Sequence, residues 1–196
     1  MIQRESVFVP KYQLKAVNPL KGYKSEINGV KISEIVNIEI FSLSFKKMQE
    51  NKVASILKKI LKCKLPPPGQ SVNIASKNVR ILRLATDQMF VLFNRRELHS
   101  MNKNFQHLSE FFYLTEQTDA WSGLRLSGLP TYACLERICP INLSPKHFLV
   151  HSFARTTMEH LNIIITKTKS NEFELYSGSS FAQSFLHTIE TSAKNI

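Results

Sequence analysis

An amphipathic helix that is stopped by a run of prolines constrains the fold of this chain most strongly. In residues 45–62 the apolar side chains recur every three or four positions, as on a helix with one buried face. Leu65-Pro-Pro-Pro-Gly follows, and the helix must end there because proline lacks an amide hydrogen and fixes φ. The alternating, β-branched residues 35–44 precede the helix and predict a strand.

The residues after the prolines extend this pattern to a β-α-β-β-α-β order. Residues 79–84 and 89–93 predict two strands, and the polar residues Ala85-Thr-Asp-Gln between them predict a hairpin turn. A short helix near 104–111 then leads into a strand that starts at Phe112. This order of elements is that of the ferredoxin-like fold.

The second half of the chain repeats this pattern loosely. Its strands are expected at 121–126, 149–157, 161–167 and 173–176. One helix opens at Pro130, where a missing amide hydrogen costs nothing, and the last helix begins at a Ser179-Ser180 cap. We therefore predict an α+β fold of two ferredoxin-like β-α-β-β-type halves that share one core.

Turn signals and charge divide the chain into three parts. Residues 1–30 are polar, rich in lysine and poorly periodic, so we expect an extended basic arm, followed by α+β halves at 31–118 and 119–196. Residues 1–64 contain 13 Lys and Arg against 5 Glu, a net charge of +8 out of +11 for the chain. A basic segment of this kind could face nucleic acid, a membrane surface or an acidic protein partner.

The sequence contains no motif of a self-contained catalytic site. It has no GxGxxG or Walker loop for a nucleotide, and no HxH, HExxH or CxxC arrangement for a metal. Its two aspartates and 13 glutamates do not suggest a pair of catalytic carboxylates. We therefore predict no catalytic residue, no metal site and no cofactor bound by this chain alone, and we expect its three cysteines to be free thiols.

Six residues remain as candidates for binding, and each also has a simpler structural interpretation. Asp119 and Arg125 are candidates for contact with a ligand, although Asp119 could equally cap a turn or pair with Arg125. The interface candidates are Lys46, Lys47, Trp121 and Arg155. The two lysines also fit a solvated helix face, and Trp121, the only tryptophan, also fits a core position.

Membrane and nucleic-acid partners receive little support from the sequence. No apolar run reaches the roughly 18–20 residues that cross a bilayer, and the N-terminus lacks the features of a signal peptide. RNP-like aromatic signatures and a helix-turn-helix are also missing from the sequence. We therefore expect a cytoplasmic protein whose basic segment meets another protein.

Several motifs, taken in their order and spacing, resemble the gamma subunit of heterotetrameric sarcosine oxidase. They are Leu65-Pro-Pro-Pro-Gly, Leu84-Ala-Thr-Asp-Gln-Met-Phe-Val-Leu, the Asp119–Gly128 segment, Cys139-Pro-Ile-Asn-Leu, Phe148 and Phe173–Ala182. Two positions depart from the family's Cys-Pro-Leu-Asp-Leu-His-Pro pattern, because Asn142 and Ser144 stand in place of its aspartate and histidine. The resemblance covers most of the chain and is strongest in the second half.

The resemblance implies a fold similar to the folate-binding aminomethyltransferase (T-protein) of glycine cleavage and a place in a complex of four different subunits. In that family the alpha and beta subunits carry FAD, FMN, NAD and the tetrahydrofolate site, and the delta subunit holds zinc. The complex oxidises sarcosine to glycine and passes the one-carbon unit to tetrahydrofolate. This chain would then be a non-catalytic structural subunit of that oxidoreductase, chiefly in contact with alpha.

Two alternatives remain open at this stage. One is a stand-alone folate-binding aminomethyltransferase-like protein of one-carbon metabolism, in which Asp119 and Arg125 would contact the folate. The other is a basic nucleic-acid-binding module, whose affinity should fall steeply as the salt concentration rises.

Overall fold

The protein is described here by a computed structural model that covers residues 17–46, 49–74 and 78–196. Within these ranges the chain forms eleven strands and four α-helices. In chain order they are β1 (Lys24–Ile27), β2 (Val30–Glu34), β3 (Ile38–Ser44), α1 (Glu50–Ile60), β4 (Ser71–Ile74), β5 (Val79–Arg83), β6 (Gln88–Asn94), α2 (Leu98–Leu108), β7 (Tyr113–Glu116), β8 (Trp121–Ser127), α3 (Thr131–Glu136), β9 (Phe153–Met158), β10 (Leu161–Lys169), β11 (Glu172–Gly178) and α4 (Ala182–Lys194).

The first half of the chain forms a five-stranded sheet with the order β4-β5-β6-β3-β7. All of its strand pairs are antiparallel. Without β4, the order β7-β3-β6-β5 is that of a ferredoxin-like sheet, and β4 adds one edge strand that the sequence analysis did not predict. We call it the first sheet, and it confirms the ferredoxin-like interpretation of this half.

The second sheet has six strands in the order β1-β2-β8-β11-β10-β9. Its last five strands repeat the arrangement of the first sheet, with β2 in the place of β7 and β9 in the place of β4. The strand that completes the second half therefore comes from the beginning of the described chain. Two β-α-β-β-type halves are thus present, and their segments are not simply consecutive.

The β1–β2 hairpin differs from the extended arm expected for residues 1–30. The two strands pair antiparallel from Lys24↔Ser33 to Ile27↔Val30, and Asn28-Gly29 makes the two-residue turn between them. Both turn residues have positive φ, 46° and 79°, as a type I′ turn requires. The Asn-Gly pair was the signal that could have predicted this hairpin, whereas residues 1–16 lie outside the described ranges.

The two sheets pack face to face and each carries two helices on its outer side. The helices α1 and α2 bury Leu57 and Phe105 against the first sheet, and α3 and α4 bury Leu135 and Phe185 against the second. A third cluster fills the space between the sheets, and it is the core that the two halves share. It consists of Ile40, Leu82, Phe90, Leu92, Phe153, Ile164 and Tyr176.

Two of the sequence motifs have a structural explanation in the buried side chain of Arg83. Its guanidinium donates to the carbonyl oxygens of Pro66 (3.1 Å), Ala85 (3.3 Å) and Thr86 (2.7 Å) and pairs with the Glu50 carboxylate. The proline segment that follows α1 and the loop between β5 and β6 are therefore held by one cation, whereas α1 itself ends earlier, at Ile60, before Lys62 with its positive φ of 59°. Both motifs specify how the chain turns.

The Ser-Gly-Leu-Pro motif at the end of β8 also marks a tight contact. Gly128 has a φ of 125°, and a Cβ atom there would lie 2.2 Å from the carbonyl oxygen of Gly29. Only glycine allows the β1–β2 turn to approach the start of α3 this closely. The predicted serine cap of the last helix is wrong, because a 3-10 turn at Ser179–Phe181 comes first and α4 begins at Ala182, with Phe181 at the cap position.

Candidate functional site

A cavity of about 510 Å³ lies between the two sheets. The first sheet lines it with the ends of β4, β5 and β6, and the second sheet lines it with β8 and β11. The segment of residues 35–38, which carries the chain from β2 into β3, forms another part of its wall. The cavity therefore lies where the polypeptide passes from one sheet to the other.

A charged cluster occupies the wall of this cavity, with the Glu174 carboxylate at its centre. Glu174 pairs through Oε2 with Arg80 Nη1 (2.5 Å) and through Oε1 with Arg125 Nη2 (2.7 Å). The hydroxyl of Tyr176 donates to Oε2 over 3.0 Å. Side chains alternate along a strand, so Glu174 and Tyr176 of β11 face the first sheet while Phe173 and Leu175 face the helices.

The electrostatics of the cluster keep Glu174 ionised. Burial raises the pKa of the Glu174 carboxyl, but the guanidinium groups of Arg80 and Arg125 outweigh burial and hold the pKa below its ordinary value. Burial, with the neighbouring carboxylate, raises the pKa of Tyr176 well above its ordinary value. Glu174 is therefore an anion whose two oxygens both carry hydrogen bonds, an arrangement that suits a structural ion cluster better than a general base.

The cations around the cavity outnumber the carboxylates. Within the part of the chain that the structure describes, three arginines line it, Arg80, Arg96 and Arg125, against the two carboxylates of Glu97 and Glu174. The Nε atom of Arg80 is buried and has no hydrogen-bond partner. Arg96 is exposed at the start of the 3-10 turn that follows β6. The wall therefore offers hydrogen-bond donors that the protein itself does not fully use.

Of the two predicted ligand contacts, the structure places only Arg125 in this cavity. Asp119 is exposed in a 3-10 turn between β7 and β8, where its charge acts on Arg95. The suggested pairing of Asp119 with Arg125 is wrong, because Arg125 pairs with Glu174, its cross-strand neighbour. The two residues therefore do not form one site.

The predicted interface residues lie on different elements and are not brought together. Lys46 is exposed after β3 and borders a groove of about 350 Å³. Trp121 packs edge-on against Phe90, with ring centroids 5.6 Å apart, and its buried Nε1 has no hydrogen-bond partner. Arg155 is exposed on β9, at the edge of the second sheet. Lys47 lies outside the described residues.

The groove beside Lys46 combines aromatic and basic side chains. We call it the aromatic groove; its walls are the start of α1, with Lys52, and the chain that leads into β7, with Phe111 and with Tyr113, the first residue of β7. Phe111 and Tyr113 are 40% and 68% exposed, and the Lys52 ammonium lies 5.5 Å from the centre of the Phe111 ring. Exposed aromatic rings are enriched at protein interfaces, and the two lysines add positive charge beside them.

The described residues contain neither a metal-binding cluster nor a membrane-spanning helix. In the ranges 17–46, 49–74 and 78–196, no group of three or more His, Cys, Asp or Glu side chains is placed to hold a metal ion. None of the helices in those ranges has the length and apolar character needed to cross a bilayer.

Glu174 and Arg80 were not predicted as site residues, although the sequence contains a signal for them. Both are charged residues that stand between apolar neighbours inside a strand, Arg80 between Val79 and Ile81 and Glu174 between Phe173 and Leu175. A charge at such a position must be paired, because an unpaired buried charge is very unfavourable. The partner could not be read from the sequence, since 94 residues separate Arg80 from Glu174.

The fold is similar to that of two kinds of solved protein. Neither a protein-family model nor a curated protein matches the sequence. A chain of the heterotetrameric sarcosine oxidase from Corynebacterium sp. U-96, solved with pyrrole 2-carboxylate, matches with a TM-score of 0.78 and 16% identity, over 93% of this chain and 96% of that chain. The glycine cleavage system aminomethyltransferase T from Bartonella henselae matches with a TM-score of 0.62 and 12% identity; 89% of this chain is covered, but only 56% of the longer transferase. The chain therefore has the aminomethyltransferase-like fold that these two proteins share.

Proposed function

We propose that this chain is a gamma-type structural subunit of a sarcosine oxidase-like complex and that it supports a larger catalytic subunit. The main observation in favour is the extent of the similarity, which spans 93% of this chain and 96% of a chain from a heterotetrameric sarcosine oxidase. The similarity spans only 56% of the aminomethyltransferase T, so the match to the oxidase chain is the more extensive of the two. The complex would demethylate sarcosine or a related N-methyl amine by oxidation.

The chemistry of the central cluster supports a structural role for this chain within such a complex. Glu174 is buried in the inter-sheet cavity, and both of its oxygens are bound by arginines. A carboxylate in this state is a poor proton acceptor because its pKa is held low. In this proposal the catalytic groups and the flavins belong to the other subunits.

The aromatic groove is the surface that best fits the partner subunit. Its exposed rings, Phe111 and Tyr113, provide apolar area, and Lys46 and Lys52 provide positive charge beside them. An acidic patch with an apolar centre on the catalytic subunit would complement both features. The groove also adjoins β7, which among the described strands is an edge strand of the first sheet, paired with β3 on one side.

Co-expression with the alpha, beta and delta subunits from the same source, followed by size-exclusion chromatography, tests this proposal. We expect the chain to co-elute with alpha. The double variant Lys46→Glu and Lys52→Glu should weaken co-elution at low salt, whereas Lys31→Glu, an exposed lysine on β2 away from the groove, should not. If the wild-type chain never co-elutes with the other subunits, the proposal is wrong. If the wild-type chain co-elutes and the Lys46→Glu, Lys52→Glu variant co-elutes equally well, the chain belongs to the complex but its interface lies outside the aromatic groove.

A stand-alone folate-binding protein is the second candidate function. The cavity favours it, because Arg80 and Arg125 could meet the carboxylates of a glutamate tail in a fold shared with an aminomethyltransferase. The exposed position of Asp119 counts against it, since the acidic residue expected to bind the pterin lies outside the cavity. Calorimetric titration of the isolated chain with a tetrahydrofolate derivative tests this function. If no heat of binding is measured at millimolar ligand, the chain is not a stand-alone folate-binding protein.

A further inference from the structure

We propose that the inter-sheet cavity is a binding site for a small, planar organic carboxylate. The inference does not depend on the subunit role, because every group that it uses belongs to this chain. It rests on the charge of the cavity wall, on one unused buried donor and on the shape of the space.

The charge of the wall favours an anion. Among the described residues of the lining, Arg80, Arg96 and Arg125 face two carboxylates, Glu97 and Glu174, which gives a net charge of +1. Outside the lining, the carboxylate of Glu172 also acts on Arg125. Glu174 is shared between Arg80 and Arg125 and therefore neutralises only one of the two. A ligand carboxylate would supply the missing negative charge, whereas a cation would add to the excess.

One buried donor also lacks its acceptor. The Nη1 atom of Arg80 is used by Glu174, but its Nε atom is buried and has no hydrogen-bond partner. A buried donor without an acceptor costs roughly 1–3 kcal/mol, and a rotation of the Arg80 side chain that turned Nε toward a bound acceptor would recover that free energy. Arginine binds carboxylates through hydrogen bonds in the plane of the guanidinium, which makes a planar anion the natural match.

The position of the cavity favours a flat molecule. Its walls are the facing sides of two sheets, and packed sheets lie only about 10 Å apart. Tyr176 and Leu92 lie on opposite sides of this space and belong to the apolar cluster between the sheets. A planar carboxylate would therefore place its charged end at the arginines and its body beside these two side chains.

Thermal unfolding of the full-length chain with benzoate or oxalate, at constant ionic strength set by potassium chloride, tests the site. A ligand at about 100 times its Kd should raise the melting temperature by about 5 °C or more. Phosphate is the tetrahedral comparison and should give a smaller shift than either carboxylate. Arg96 is the residue to replace, because it lines the cavity mouth and is outside the buried ion cluster.

The variants give the decisive outcomes. Arg96→Ala should leave the melting temperature without ligand unchanged and weaken carboxylate binding about 10-fold, as expected for one lost charged hydrogen bond. Arg155→Ala removes an exposed arginine from β9, outside the cavity, and should bind like the wild type. The proposal is overturned if neither carboxylate shifts the melting temperature beyond chloride, if phosphate shifts it more, or if Arg96→Ala binds as tightly as the wild type.

Discussion

Replacing Arg83 with methionine should destabilise the first half of the protein by about 2–4 kcal/mol. The Arg83 side chain is 4% exposed and holds the segment after α1 to the loop between β5 and β6. Methionine keeps the apolar stem of the side chain and fills similar space, but it donates no hydrogen bond. The substitution therefore isolates the contribution of the guanidinium.

The magnitude follows from the acceptors that the substitution leaves behind. The bond to the Pro66 oxygen is buried, whereas those to Ala85 and Thr86 are partly buried, so water can replace them in part. A hydrogen bond to a charged group contributes about 1.5–3 kcal/mol. The ion pair adds little, because Glu50 is 56% exposed. Together these contributions give about 2–4 kcal/mol, a large part of the 5–15 kcal/mol that is typical of a domain.

Urea unfolding followed by circular dichroism measures this loss. With a slope of about 1–3 kcal/mol per molar urea, the midpoint of Arg83→Met should fall by about 1–2 M. Arg155→Met replaces an exposed arginine and should stay within about 0.5 kcal/mol of the wild type. The reasoning is refuted if the two variants unfold at the same midpoint.

Three further predictions follow from individual groups. Gly128→Ala should lower the free energy of unfolding by about 1–3 kcal/mol or more. Gly22 also has a positive φ, but no atom lies within 4 Å of a Cβ added there, so Gly22→Ala should lower the free energy of unfolding by less. Equal decreases in the melting temperatures of the two variants would contradict the tight contact at Gly128. Glu174 has a lowered pKa in the folded protein, so its ionised form adds stability above the unfolded-state pKa near 4.5, and this contribution disappears as the pH falls through the lower folded pKa. Below pH 4.5 the stability gap between wild type and Glu174→Gln should narrow, and a gap that is constant with pH would refute this. Burial raises the pKa of Cys139 to about 12, so this thiol should react with a disulfide reagent at pH 8 only after unfolding; rapid labelling of the native protein at Cys139 would show that it is accessible.

The elements that the sequence predicted well are those whose signal is local. The strands at Val79–Arg83 and Gln88–Asn94 were predicted because two short runs rich in apolar residues flank a polar loop. A helix is present where one was expected at 45–62, but it begins later, at Glu50, because the spacing of apolar residues does not define where a helix starts. The helix expected near 104–111 covers Leu98–Leu108 for the same reason.

What the sequence did not reveal depends on contacts between distant segments. The strand β2 completes the second sheet by pairing with β8, from Lys31↔Ser127 to Glu34↔Leu124, and no local pattern reports that pairing. Lysines on the exposed side of the hairpin made this segment look like a solvated arm. The ion cluster likewise exists only because one sheet places Arg80 opposite Glu174 of the other.

The most direct test of the proposed subunit role is the mass of the assembled complex. An affinity tag on this chain, co-expression with the other three subunits and native mass spectrometry of the eluted material would give the composition. We predict a heterotetramer that contains one copy of this chain with one alpha subunit. An eluted mass equal to this 22.5 kDa chain alone, with the other three subunits expressed and left in the flow-through, would contradict the account.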